Sequence, residues 1–403
     1  MLMIGATAQM APRTGRREAV SHRSLRVALL SSFDARHIGS WSGCSSHLVE
    51  ALAKVPDVSL EFIGPLAHFS SPTFAWKRLF YRLAGKTYLT AVHPDVLKSY
   101  ASEAAAKLAQ SHADFVLGLD AAPIAYLETT KPILYFWDST FLGNLDYPFF
   151  NTLAAESIRH GHQMEQLALT RCRYAVFSSD WAVQTALDGY SVDRNKLKVV
   201  PLGANLECDR AAEDVRRIID ARDPKKCRLL FLGVDWIRKG GEIAYAVAKE
   251  LNARGLDTTL TIAGCRPTIR GAAPAYLKCL GFINKLDRDN RKLIESLLSD
   301  SHFLIVPSSA ESFGTVFCEA SSFGTPSLAR RVGGVGSAVR DGVNGKLFSK
   351  SASISEYCDY IIGLFRDYSQ YKALALSAFE EYRSRLNWER TSEALVALMR
   401  QME

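Results

Sequence analysis

The stretch His302-Phe-Leu-Ile-Val306-Pro-Ser-Ser-Ala-Glu311-Ser-Phe-Gly314-Thr-Val-Phe-Cys-Glu319-Ala-Ser-Ser-Phe-Gly-Thr-Pro326 decides how the rest of the chain is read. Its apolar run, Phe303 to Val306, is stopped by Pro307 and two serines, which is the pattern of a strand buried in a parallel sheet. Thr315 to Phe323 reads as the helix that follows, after a short loop. Ligands of open α/β sheets sit beyond the carboxyl ends of the strands, where unpaired N–H groups and the positive end of a helix dipole receive phosphate. Phe313, Gly314 and Thr315 would supply such amides, and Gly314 has no Cβ to keep a diphosphate off the backbone. Glu311 and Glu319 bracket that anion site, and each carboxylate can accept two hydroxyl hydrogen bonds, which a sugar or a ribose offers.

Two glutamates eight residues apart also fit an exposed loop acid and a helix acid favoured by the dipole. The longer string separates the two readings. Pro307-Ser-Ser-x-Glu311-Ser-Phe-Gly-Thr-x-x-x-Glu319-Ala is followed by Gly324-Thr-Pro, Gly333-Gly-Val and Asp341-Gly-x-Asn344-Gly. This closely resembles the nucleotide-binding half of the retaining glycosyltransferases of family four, which have the GT-B fold. Gly336-Ser337 stands where many members have Pro-Glu.

Composition sets the frame. A chain of 403 residues suits two cores of roughly 170 to 200 residues. With 48% hydrophobic and 23% charged residues, it has the make-up of a globular protein. Its eight cysteines are scattered singly, without Cys-x-x-Cys, and read as buried thiols of a reducing cytoplasm. No run of eighteen apolar residues is present, so the expected location is the cytoplasm, either free or peripheral to the inner face of a membrane. Residues 1–24 read as a disordered leader carrying Arg13, Arg16, Arg17 and Arg23 against Glu18, with no nucleic-acid role. The net charge of +7 suits a protein that handles diphosphate or touches anionic lipid.

Expected strands run over 25–31, 58–63, 115–119, 132–136 and 174–178 in the first half, with helices at about 45–54, 74–83, 93–110, 150–170 and from Trp181. A loop with Gly39-Ser-Trp41-Ser-Gly43 follows the first strand. By resemblance, Gly43 faces the donor diphosphate across the cleft; a glycine serving only the turn is the alternative. In the 74–83 helix, Trp76, Leu79, Phe80 and Leu83 lie at i, i+3, i+4 and i+7, while Lys77, Arg78, Arg82 and Lys86 point elsewhere. Such a stripe is ordinarily core, and the competing reading is a basic helix on a membrane surface. Where many relatives end the fourth strand in a histidine, this chain has Trp137-Asp138, so Asp138 is assigned the sugar-facing position by place alone; an Asp capping the next turn is the alternative. His160 and His162 read as surface or capping histidines, without an acidic partner at metal spacing.

Val199 to Asn205 resembles the family's crossing between domains. After the strand 228–232, Arg238-Lys239-Gly240 places two cations at a helix start, the geometry that suits a diphosphate. Lys239 matches the family's phosphate lysine, and Arg238 is read as replacing an arginine that members carry at the position of Val234. A strand at 260–264 and another at 277–283 follow; the end of the latter resembles the base-binding loop, with Phe282 and Ile283 offering backbone groups. Asn387-Trp388-Glu389 starts a last helix, which in the family packs back on the first domain.

The fold expected is α/β, two Rossmann-like domains facing across a cleft, with the first domain at 25–205, the second at 206–385 and the returning helix at 386–403. The resemblance implies a retaining hexosyltransferase of polysaccharide or glycolipid biosynthesis that uses a nucleotide-diphosphate sugar. Glu319 would hold the ribose, Glu311 the sugar, and Arg238, Lys239 and the 313–315 amides the diphosphate. The acceptor is an unidentified sugar or lipid-linked hydroxyl. No cofactor and no metal are expected, because basic side chains neutralise the diphosphate. Alternatives are a non-catalytic sugar-binding subunit of the same fold, or a GT-B epimerase or phosphorylase.

Overall fold

The computed structural model describes residues 24–145, 147–206, 210–269 and 271–402. Nearly all of the basic leader, and Cys208, lie outside them. The first half comprises β1 (Leu25–Leu30), α1 (Cys44–Ala53), β2 (Val58–Phe62), α2 (Pro72–Leu83), α3 (Pro94–Gln110), β3 (Phe115–Gly118), α4 (Ala121–Ile124) and β4 (Ile133–Trp137). It continues with α5 (Phe141–Asn144), α6 (Ala155–Arg171), β5 (Tyr174–Phe177), α7 (Asp180–Gly189) and β6 (Leu197–Val199). The second half holds α8 (Ala212–Asp220), β7 (Cys227–Leu232), α9 (Gly241–Ala253), β8 (Thr258–Ala263), β9 (Leu277–Gly281), α10 (Arg288–Asp300) and β10 (Phe303–Val306). After these come α11 (Thr315–Ser321), β11 (Ser327–Arg330), α12 (Val335–Ala338), β12 (Gly345–Phe348), α13 (Ile354–Arg366), α14 (Tyr368–Arg385) and α15 (Trp388–Arg400).

Two six-stranded sheets result, in the orders β2-β1-β3-β4-β5-β6 and β12-β11-β10-β7-β8-β9. Every named pairing in them is parallel. The central strands carry apolar runs because helices cover both faces: all four residues of β10 are buried, as are Val27 to Leu30 of β1. In the second sheet the strand order reverses between β7 and β10, which pair at Phe303 and Leu229. The loops after these two strands therefore open the crevice that such a reversal creates. Those are the loops of Arg238-Lys239 and of Glu311.

The chain recrosses at its end. Leu395, Val396 and Met399 of α15 join the same buried cluster as Leu48 and Leu52 of α1. Trp388 Nε1 donates to Asn205 Oδ1 at 3.0 Å, and a Cβ on Gly203 would lie 2.4 Å from the Trp388 nitrogen, so only glycine lets the crossing segment approach this closely.

Two sequence expectations fail here. Trp76, Leu79, Phe80 and Leu83 are not core: they are 72%, 39%, 67% and 80% exposed, and α2 rests instead on Phe74. The apolar stripe was read correctly, but it is turned outward because the opposite face, with Phe74, Lys77 and Tyr81, is the one that meets His93, Glu156 and Tyr88. Likewise Cys279 is exposed and Cys265 only partly covered, whereas Cys44, Cys172, Cys227, Cys318 and Cys358 are buried.

Candidate active site

A cavity of about 930 Å³ lies between the two sheets. The first domain contributes Trp41, Gly43, His47, Trp137, Asp138 and Tyr147 to its wall. Every residue singled out from the sequence lines it: Gly43, Asp138, Arg238, Lys239, Phe282, Ile283, Glu311, Phe313, Gly314, Thr315 and Glu319.

The loop after β10 is held by its backbone. Gly334 donates its N–H to the Glu311 carbonyl at 3.0 Å. A Cβ at Gly334 would fall 1.7 Å from the Ser312 carbonyl oxygen, so the glycine pair at 333–334 is a packing requirement of this loop. Gly314 then adopts φ +91° as it caps α11, a conformation that glycine takes without strain. Glu311 receives Lys239 Nζ, and Arg238 Nη1 lies 3.6 Å from the same carboxylate oxygen. Arg238 also donates to the Ala310 carbonyl at 3.0 Å, while Val234 is 68% exposed. Both cations thus stand on the sugar-assigned carboxylate.

Glu319 is wholly buried. Its Oε1 accepts from Lys285 Nζ at 2.7 Å, and its Oε2 has no hydrogen-bond partner among the described residues. A buried carboxylate oxygen without a donor is costly unless a ligand or water supplies one. Lys285 was missed in the sequence, although it lies two residues beyond Ile283. Phe282 is exposed at the cavity edge and Ile283 is buried beneath it.

On the facing side, Trp41 and Ser42 precede Gly43 with φ of 45° and 56°, and Gly43 itself has φ +90°. Left-handed backbone at two residues that carry a Cβ is strained, and such strain is kept where surroundings fix it. Asn205 Nδ2 fixes it by donating to the Ser42 carbonyl at 3.0 Å. The Trp41 ring stacks on Trp137 at 4.4 Å beside Asp138. Burial pushes the Asp138 carboxyl up to about 6, with the Trp41 side chain pulling the other way. His47 lines the cavity from α1, a histidine reaching it by a different route from the one sought after β4. Tyr147 Oη lies 2.9 Å from Ser312 Oγ, and burial followed by the charge of Glu311 raises its pKa.

The loop at Gly336-Ser337 has its own partner. Ser337 Oγ accepts from the Asp180 N–H and donates to its Oδ2, each at 3.1 Å, joining the two domains where the family pattern has Pro-Glu.

His160 does have an acidic partner, contrary to the sequence reading. Glu156 stands one turn earlier on α6, and with His93 the three groups offer donor atoms within 4.8 Å of one another. Lys77 Nζ at 2.5 Å and Tyr81 Oη at 3.0 Å already occupy Glu156. His162 instead pairs with Tyr190 Oη at 3.1 Å. An Asp-x-Asp triplet occurs at Asp287-Arg288-Asp289, but Asp287 Oδ1 caps α10 by accepting the N–H groups of Asp289 and Asn290.

Residues 214–380 match the family described as glycosyl transferases group 1. A D-inositol 3-phosphate glycosyltransferase of Corynebacterium urealyticum is 28% identical over 254 residues, covering 59% of each chain. One from Mycobacterium avium is 35% identical over 115 residues, 28% of this chain and 27% of that one. The chain spans 48% to 59% of the length of the first three such relatives. Among solved structures, sucrose-phosphate synthase of Thermosynechococcus elongatus superposes with a TM-score of 0.64 at 16% identity, covering 94% of this chain and 99% of that one. HepE of Anabaena, solved with UDP and glucose, gives 0.59 at 15%, covering 94% and 100%. These share the GT-B arrangement of two Rossmann-like domains.

Proposed function

We propose that the protein transfers a hexose from a nucleotide-diphosphate sugar to an acceptor hydroxyl, with retention of anomeric configuration. The observation that carries this reading is the pairing in one cavity of a buried, half-partnered Glu319 with the Arg238, Lys239 and Glu311 cluster. Glu319 Oε2 would accept a ribose hydroxyl. Lys239 and Arg238 would turn part of their donors from Glu311 to the diphosphate, helped by the amides from Phe313 to Thr315, and Glu311 would then accept sugar hydroxyls.

In the transfer, the bond between the anomeric carbon and the diphosphate oxygen breaks, and the electron pair leaves with the diphosphate. The acceptor oxygen bonds the same face and gives its proton to the departing diphosphate oxygen. Charge grows on the diphosphate as this happens, so fixed cations and amides stabilise the transition state more than the bound donor. Asp138 lies on the first-domain wall, where the acceptor would enter, and Trp41 and Trp137 offer flat apolar faces to a sugar ring. Structural neighbours solved with UDP and UDP-glucose support a uridine donor as the first to try. The proposed location is the cytoplasm, peripheral to a membrane, with a sugar or lipid-linked acceptor.

The test is slow donor hydrolysis followed by proton NMR. Purified protein with UDP-glucose should release UDP and, first, the α-anomer of the sugar. Release of the β-anomer would overturn retention, and tight binding without turnover under any acceptor would favour a sugar-binding subunit.

A further inference from the structure

We propose that the outward face of α2 docks the protein onto an anionic lipid surface. This gives the peripheral location a physical site, and its test does not depend on the donor chemistry.

The helix is anchored from one side only. Phe74 packs on His93 with ring centroids 4.9 Å apart, Tyr81 stacks on Tyr88 at 5.4 Å, and Lys77 reaches Glu156. Turned 3.6 residues per turn, the sequence then sends Trp76, Leu79, Phe80 and Leu83 to the opposite face. Three of these four are more than two-thirds exposed, a concentration of large apolar groups that water disfavours and that no other part of the described molecule covers.

Charge selects the occupant. From Phe62 to Pro94 the chain holds no Asp or Glu, yet it carries Lys77, Arg78, Arg82 and Lys86. Lys77 is spent on Glu156, but Arg78, Arg82 and Lys86 are exposed. A helix lying flat, with aromatic and aliphatic groups beneath and arginines along its flank, is the form that binds at the boundary between headgroups and acyl chains. Tryptophan and the two arginines suit that boundary, since each has an apolar body and a polar end.

The position is also apt. Just after α2, Thr87 donates its backbone N–H to the Thr152 carbonyl at 2.8 Å, in the segment whose Phe150 lines the cavity. The segment bonded just after α2 therefore also supplies part of the cavity wall, on the first-domain side that a membrane-borne acceptor would approach.

Flotation of the full chain with vesicles tests this. Each exposed cation near an anionic leaflet changes partition by about fivefold. Wild type should float with vesicles of phosphatidylcholine and phosphatidylglycerol at low salt and not with phosphatidylcholine alone. The variant Arg78→Gln/Arg82→Gln/Lys86→Gln should lose at least tenfold, and Trp76→Ser/Phe80→Ser/Leu83→Ser should lose binding while keeping its circular dichroism and melting temperature. The proposal is overturned if wild type stays unbound at low ionic strength, or if the apolar variant floats as well as wild type. It is overturned too if wild type is a dimer that the apolar variant makes monomeric without any vesicle binding, because the face then belongs to a second copy of the chain.

Discussion

Asp138 shows how the site weighs folding against chemistry. Its carboxyl titrates near 6 in the folded protein, above its ordinary value near 3.8, because burial disfavours the charge. A carboxyl whose folded pKa is raised costs stability once ionised. The cost begins as pH rises past about 4 and is complete above about 6. Asp138→Asn should therefore raise the melting temperature at pH 7.5, and the gain should shrink by pH 4.5. If the ionised form serves the reaction, kcat/KM falls as pH drops through 6 and the variant loses that limb; a pH–rate profile checks both. Lys239→Ala should cut kcat/KM by about 10- to 150-fold, the worth of one hydrogen bond involving a charged group. Arg238→Ala should cost less, since that guanidinium is shared with the Ala310 carbonyl; equal losses in the two variants would show that the Ala310 bond does not lessen its share.

At the scale of elements, loops after β7 and β10 owe their positions to close backbone approaches. Gly334→Ala should destabilise the protein by about 1–3 kcal/mol, as overpacking does, and also weaken nucleotide binding by displacing Glu311. Urea denaturation and calorimetry read the two effects separately. The same elements mark what the sequence disclosed. β10 was legible to the residue, and the strands at Leu25, Val58, Phe115, Ile133, Tyr174, Cys227 and Thr258 to within a residue or two, because central strands such as β10, β3 and β4 are apolar runs and β2 and β8 alternate apolar and polar residues. Shorter strands were not: β6 at Leu197–Val199, β11 at Ser327–Arg330 and β12 at Gly345–Phe348 carry Lys198, Arg330 and Lys346 and have three or four residues each. Residues in the motif loops were found together in the cavity, whereas Lys285, His47, Trp41 and Tyr147 were not singled out, since only the folded chain brings them there. For α2 the period was plain and the face was not, as periodicity tells which residues share a side but not which side is covered.

Across the whole molecule, α15 ties the halves together. Trp388 is only 6% exposed and bonds Asn205, which in turn holds the Ser42 carbonyl next to Gly43. Trp388→Ala should cost about 3–5 kcal/mol, the range for removing a large buried aromatic. It should also expose the Val199–Asn205 crossing to protease, which limited proteolysis would reveal. Loss of stability without new cleavage would mean that the helix stays docked through Leu395, Val396 and Met399 alone.

The central claim is that the second domain binds a nucleoside diphosphate with Glu319 on its ribose. Calorimetric titration of UDP into wild type and Glu319→Gln tests it most directly. Wild type should bind, and the variant should bind about 10- to 150-fold more weakly, with its fold retained. A dissociation constant unchanged by the substitution, or no binding of UDP, GDP or ADP to wild type, would contradict the account.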